Sequence, residues 1–206
     1  MTWAILLTGI GAQFFYTTRA LIQWIQSERS RKIESPTLFW IFSIMGSILF
    51  FIYGWLRHDF SILLGEFLSY YIYVWNLKIK GAGRQTPALI QGTVFLFPIA
   101  MILLALLDLP TFTASFFQSE DLPLYMIVWG SVGQFIYKMR FVYQWYYSSR
   151  RQESLLPVTF WWIAFVGSLM IMIYGIYRLD WILIIGQLGI IATIRNIMIG
   201  RRAANN

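Results

Sequence analysis

The chain has 206 residues, of which 58% are apolar by type and only 12% charged, and its mean hydropathy is +0.62. A soluble domain carries about 25% charged residues and could not hide this much apolar surface at this size, so lipid must be the solvent for most of the chain; disorder fails for the same reason. With no cysteine and His58 as the single histidine, disulfides, iron–sulfur clusters, thiolate or multi-histidine metal sites and thiol nucleophiles are excluded.

Seven stretches approach the 20 or so apolar residues that span a bilayer: Trp3–Ile25, Pro36–Leu56, Phe60–Leu77, Ala88–Leu109, Leu124–Trp145, Pro157–Tyr177 and Trp181–Ile199. Continuous runs of this length predict helices, not a barrel. Pro36 and Pro157 fall at first helical turns, where a missing N–H costs nothing. Pro98 should kink the fourth span. The N-terminus lacks a basic region and a cleavage site, so the first span reads as a retained helix. The net charge is +7, from 16 Lys and Arg against 9 Asp and Glu, and of these cations Arg29, Arg31, Lys32, Lys78, Lys80, Arg84, Arg150, Arg151, Arg201 and Arg202 collect on one side. Arg57 and Arg178 share the other with Asp59, Glu120, Asp121 and Asp180. Lys and Arg are retained in the cytoplasm, which puts the N-terminus outside and the C-terminus inside.

Shifted by 121 residues, the chain matches itself at 20 of 57 positions from Gly9 to Gly65. The matches include Gln13/Gln134, Tyr16/Tyr137, Arg19/Arg140, Gln23/Gln144, Ser27/Ser148, Pro36/Pro157, Trp40/Trp161, Gly46-Ser47/Gly167-Ser168, Arg57/Arg178 and Asp59/Asp180. A one-residue gap then pairs Asn76 with Asn196. Shared hydrophobicity does not produce matched Arg, Gln, Pro and Asp. Each copy holds three spans, and the unmatched fourth restores the orientation of the second copy. The expected fold is an all-α integral membrane protein of seven transmembrane helices in a 3+1+3 arrangement. Residues 1–80 and 124–206 form parallel triple-helix bundles, and 81–123 carry the joining helix. Parallel repeats of this kind occur in SWEET transporters, whose sites lie between the halves.

The residues Arg19, Gln23, Trp24, Ser27, Glu28, Pro36, Phe39, Trp40, Tyr53, Asp59, Gly65 and Asn76 follow a pattern R-x-x-x-Q-W-x-x-S-E, P-x-x-F-W, Y-A/G-x-x-x-x-D, G-Q and R-N. In this each copy resembles the lipid A biosynthesis N-terminal domain of the PQ-loop/SWEET-like superfamily. The first copy departs at Glu66, where Gln is expected, and at Trp75, where Arg is expected; the second keeps Gly186-Gln187 and Arg195-Asn196 but has Ser149 for the Glu. The resemblance implies a bacterial inner-membrane protein that moves or binds lipid-linked sugars, with a glycosyltransferase as a possible partner. No glycosyltransferase domain accompanies it in this sequence, and no cofactor or nucleic-acid partner is expected.

Polar side chains inside spans are the strongest functional signal. Gly9, Gln13, Tyr16, Arg19, Gln23 and Ser27 share one helix face, repeated by Gln134, Tyr137, Arg140, Gln144 and Ser148; Glu66, Ser69, Tyr70, Tyr73 and Asn76 form a third stripe. At 1.5 Å per residue, Arg19 and Asn76 lie about 24 Å from the outer ends of their helices and Glu66 only about 9 Å. A Glu66–Arg19 ion pair is therefore not expected. Arg19, Gln23, Asn76, Lys138, Arg140, Gln144, Arg195 and Asn196 should form a cationic layer near the inner leaflet. Arg and Lys there would hold a phosphate, and Gln13, Gln134, Gln187, Asn and the tyrosines would meet sugar groups. Glu66 would titrate and couple protons, burial raising a carboxyl pKa.

Blander readings stand beside these. Arg19 and Arg140 snorkel to the interface. Glu66 is a structural hydrogen-bonding residue. Gly46-Ser47 and Gly167-Ser168 are close-packing sites, Asp59 and Asp180 are helix caps, and His58 is incidental. The leading expectation is a transporter or flippase for an anionic, lipid-linked or lipid A-type saccharide, working by alternating access. The alternatives are a non-transporting accessory that presents lipid to a glycosyltransferase and a SWEET-like small-sugar uniporter. A membrane enzyme is disfavoured, because no nucleophile–base or paired-carboxylate motif lies within the spans.

Overall fold

The computed structural model describes residues 3–82, 86–107, 109–111, 113 and 123–204; Arg84, Glu120 and Asp121 of the charge-sorting argument lie outside them. Among the described residues the chain is helical without strands. Helices α1 (Trp3–Ser30), α2 (Thr37–Leu56) and α3 (Phe60–Ile79) are followed by α4 (Ala88–Leu107), then by α5 (Leu124–Arg151), α6 (Val158–Tyr177), α7 (Trp181–Gly186), a 3-10 turn at Gln187–Gly189 and α8 (Ile190–Ala204). Five of these segments are long and apolar enough to cross a membrane: α1, α2, α4, α6 and the composite Trp181–Arg202. Helices α3 and α5, of 20 and 28 residues, have the length without the apolarity.

The solvent preference of the fold is inverted relative to a soluble protein. On α1, Trp3, Leu7, Ile10, Phe14, Leu21 and Ile25 face outward, while Gln13, Arg19, Gln23 and Ser27 are buried. Such a surface is stable against hydrocarbon and costly against water.

Local chemistry sets the helix ends. Pro36 and Pro157 cap α2 and α6 with φ of −68° each, one position earlier than expected, so each helix starts with a free N–H after the ring. Asp59 and Asp180 cap α3 and α7, accepting from Ile62 N and from Ile182 N and Leu183 N. Left-handed residues recur at equivalent places: Arg31 and Gln152 at φ 57° and 52°, His58 and Leu179 at 49° and 50°.

The last expected span is broken. The second copy has one residue fewer between Gly186 and Asn196 than the first has between Gly65 and Asn76. Residues 187–189 wind as 3-10 helix, which rises about 2.0 Å per residue against about 1.5 Å. Three such residues regain about the one α-helical step that is missing.

Within each copy the helices pack in sequence order, α1 on α2 on α3 and α5 on α6 on α7–α8; between copies α3 meets α5 and α1 meets α7–α8. Equivalent residues exchange contacts across these two seams. At one end Arg57 pairs with Asp180 at 3.1 Å and Arg178 with Asp59 at 2.8 Å. At the other, Gln23 and Asn196 bond reciprocally at 2.8 and 2.9 Å, and Asn76 and Gln144 at 3.1 and 2.9 Å. Helix α4 packs chiefly on α3. It stays helical through Pro98, which cannot donate to the Val94 carbonyl. The Tyr70 hydroxyl donates to that carbonyl instead at 2.8 Å.

Candidate functional site

A cavity of about 70 Å³ lies among α1, α2, α5, α6 and the α7–α8 segment. A single water needs about 10–15 Å³ of such space, so it accommodates a few waters or one phosphate-sized group. Arg19 and Arg140 both reach it. Each is only 5% exposed. The Arg19 guanidinium lies 4.3 Å from the Tyr16 ring centre and Arg140 lies 3.6 Å from that of Tyr137. They converge on Phe141, at 5.5 and 4.7 Å from its ring centre. Neither arginine snorkels.

The glycines of α2 and α6 make this stacking possible. A Cβ on Gly46 would stand 2.7 Å from the Tyr16 ring, and one on Gly167 2.7 Å from the Tyr137 backbone. The paired Gly-Ser motifs are thus close-packing sites that seat the tyrosines under the arginines.

Glu66 is fully buried but does not join this chamber's wall. It takes Lys138 as an ion-pair partner and accepts from the Tyr16 and Ser47 hydroxyls. Straight-helix depths set Glu66 apart from Arg19 and from the inner cationic layer in which Lys138 is expected; long side chains on the facing helices close the gap to Lys138. Lys138 is therefore neutralised. Among the described residues no carboxylate pairs with Arg19 or Arg140. A buried cation without a counter-ion costs several kcal/mol, and the two guanidiniums leave the chamber with uncompensated positive charge among the described residues.

Several expected site residues lie elsewhere. Gln23, Asn76, Gln144 and Asn196 are wholly buried and satisfy one another. Gln23 and Gln144 also bond the Glu34 and Leu155 carbonyls, tying down the first loop of each copy. They form a locked layer, not a ligand surface, because their donors are already spent. Arg195 pairs with Glu28, and both side chains are more than a third exposed, so it leaves the cationic cluster for the surface. Tyr73 is buried against Phe141, ring centres 4.8 Å apart, and stands behind the chamber wall. Gln13, Tyr16, Gln134, Tyr137, Lys138 and Gln187 do line the cavity with the two arginines.

The sequence reading missed Trp161, Thr17 and Thr193 in the wall. The signal for Trp161 was present as a mismatch between copies. Trp40 donates its indole N–H to Ser35 at 3.0 Å, and the residue matching Ser35 is Leu156. Among the described residues no cluster of three or more His, Asp or Glu side chains comes together that could hold a metal ion.

The inward polar groups, outward apolar faces and buried cations define a helical protein of the membrane type with two like segments. The chain belongs to the family of the Lipid A Biosynthesis N-terminal domain, which matches it twice, over residues 8–78 and 129–198. It is 28% identical to a lipid-A-disaccharide synthase of Chlamydia felis over 93% of this chain and 32% of that protein. It is 29% identical to the one of Chlamydia abortus over 82% and 28%, and 27% identical to that of Chlamydia muridarum over 95% and 34%. The chain thus spans about a third of the length of these relatives. No solved structure matches it.

Proposed function

We propose that this chain is an inner-membrane transporter or flippase for an anionic, lipid A-type or other lipid-linked saccharide, whose phosphate sits between Arg19 and Arg140. One observation carries the reading: two guanidiniums at equivalent positions are buried around one cavity with no carboxylate of their own. In this reading the chain spans the membrane seven times, N-terminus out and C-terminus in the cytoplasm. Two parallel three-helix units flank α4 and rock against each other. The cavity holds the phosphate, and the seams must part for the sugar to pass. Uncompensated cations disfavour an uncharged sugar as cargo. Purified protein in liposomes should move a fluorescent polyprenyl-phosphate sugar or lipid A precursor between leaflets, and Arg140→Gln should abolish the movement. Absence of movement by well-folded protein with every such lipid would refute transport.

A second reading is favoured by the relatives, where the matching segment is part of longer proteins named lipid-A-disaccharide synthase. In it the chain presents lipid to a glycosyltransferase from one leaflet. Cysteines placed at Gln13 and Gln187 would then label from one side of the membrane alone; labelling from both sides supports transport.

A further inference from the structure

We infer that the ligand is gripped by the second copy, and that it carries a hydrogen-bond donor beside its anionic group; the inference rests on the anion-binding reading above. Among the described residues, four buried side-chain polar atoms have no hydrogen-bond partner: Arg140 Nε, Trp161 Nε1, Gln187 Oε1 and the Tyr73 hydroxyl. The first three belong to residues of the cavity wall, all in the second copy and 4–6% exposed. Buried polar groups are nearly always paired, so three orphans around one cavity describe a ligand's complement.

Their counterparts in the first copy are satisfied within the protein. Arg19 donates to Ser43 at 2.6 Å, and the residue matching Ser43 is Ala164. Trp40 donates to Ser35, and the residue matching Ser35 is Leu156. Glu66 is held by Lys138, Tyr16 and Ser47; matching Glu66 and Lys138 are Gln187 and Thr17. At the tryptophan and Gln187 places the second copy has lost the internal partner of the orphaned atom and kept the polar group; at the arginine it has lost Ser43, which in the first copy accepts from another nitrogen, Nη1, of the guanidinium.

Room follows the same asymmetry. On the α3–α5 seam Tyr73 and Phe141 fill the space. The matching residues on the α1–α8 seam are Thr193 and Ala20, and both line the cavity. The orphans are of two kinds. Arg140 Nε and Trp161 Nε1 are donors and require acceptor oxygens, as on a phosphate. Gln187 Oε1 is an acceptor and requires an O–H or N–H, as on a sugar hydroxyl or acylamino group. A phosphodiester without such a donor would leave Gln187 unpaired. The ligand class is therefore a sugar phosphate, with the phosphate on the Arg140–Trp161 side.

Calorimetry on the full chain in detergent, with inorganic phosphate, dimethyl phosphate and N-acetylglucosamine 1-phosphate as probes, tests this. The sugar phosphate should bind about tenfold more tightly than either other probe, one good hydrogen bond being worth roughly that factor. Gln187→Leu should erase the advantage and leave phosphate binding intact. Ala164→Ser and Leu156→Ser supply the partners that the first copy has, without removing a ligand contact. Each should weaken phosphate binding by about tenfold, and circular dichroism should show the fold retained. If phosphate binds but these two variants match the wild type, or Trp40→Phe weakens it as much as Trp161→Phe, the assignment to the second copy is wrong while the anion reading stands. If no phosphate probe binds the wild type, both fall.

Discussion

The two seams between the copies are built from equivalent positions, yet one is shut and the other hollow. Along α3–α5 an ion pair, Glu66–Lys138, sits beside the Tyr73–Phe141 ring contact. Along α1 and α7–α8 the same places hold Gln187 and Thr17, Thr193 and Ala20, and the helix is interrupted at residues 187–189. Both seams end in the same amide pair, Asn76–Gln144 or Asn196–Gln23. The two copies keep the same bolts at the ends and differ in the middle: one seam is filled, the other borders a chamber.

The largest test makes the closed seam resemble the hollow one. Glu66→Gln leaves the Lys138 ammonium buried without a counter-ion and should cost about 3–5 kcal/mol in detergent unfolding experiments. Lys138→Thr should cost less, because Tyr16 and Ser47 still bond Glu66. The double variant Glu66→Gln/Lys138→Thr reproduces the neutral pair of the other seam and should recover most of the loss, with strong coupling in the cycle. Simple additivity of the two single losses would show that the ion pair does not close the seam.

The arginines should respond in a graded way. Without phosphate, Arg140→Met removes an unpaired buried charge and should stabilise the protein by about 1–4 kcal/mol, partly offset by lost contact with the Tyr137, Phe141 and Phe160 rings. Arg19→Met also forfeits the bond to Ser43, so its gain should be smaller by about 1.5 kcal/mol or more. Equal shifts in melting would deny that the two sides differ in how far they are satisfied.

A smaller contrast lies in the glycines. On Gly167 a methyl meets the Tyr137 backbone, which cannot yield without parting α5 from α6. On Gly46 it meets the Tyr16 ring, which can turn. Gly167→Ala should cost about 1–3 kcal/mol by overpacking, and Gly46→Ala less. The reverse order would place the tighter helix contact in the first copy.

The repeat, the cap residues and the inward polar stripes were legible because each depends on local spacing: Asp59 and Asp180 stand directly before their helices, and Arg19 and Arg140 lie on faces shared with Gln and Ser. The pairing of Glu66 with Lys138 was not, since depth along separate straight helices ignores the reach of a lysine across a seam. The division between satisfied and orphaned groups was written in the sequence as mismatches, Ser43 against Ala164 and Ser35 against Leu156. Matches reveal the shared scaffold, whereas differences at otherwise matched sites show where one copy has taken on a separate task. The broken final helix needed the same bookkeeping, a single missing residue after Gly186.

The smallest expected effect concerns α4, the segment with no counterpart in either copy. Its attachment to α3 runs through the proline it contains: Tyr70 serves the Val94 carbonyl that Pro98 cannot, and Tyr71 donates to Phe95 O at 3.2 Å. Tyr70→Phe leaves that carbonyl unpaired beside hydrocarbon and should cost about 1 kcal/mol. Pro98→Ala restores the helix's own donor, so in that background Tyr70→Phe should cost close to nothing. The double-mutant cycle in detergent unfolding would read this as a coupling near the whole effect. An unchanged cost in the Pro98→Ala background would mean that Tyr70 acts through ring packing on Phe51 and Phe97, with its hydroxyl incidental. The joining helix would then be held by shape alone.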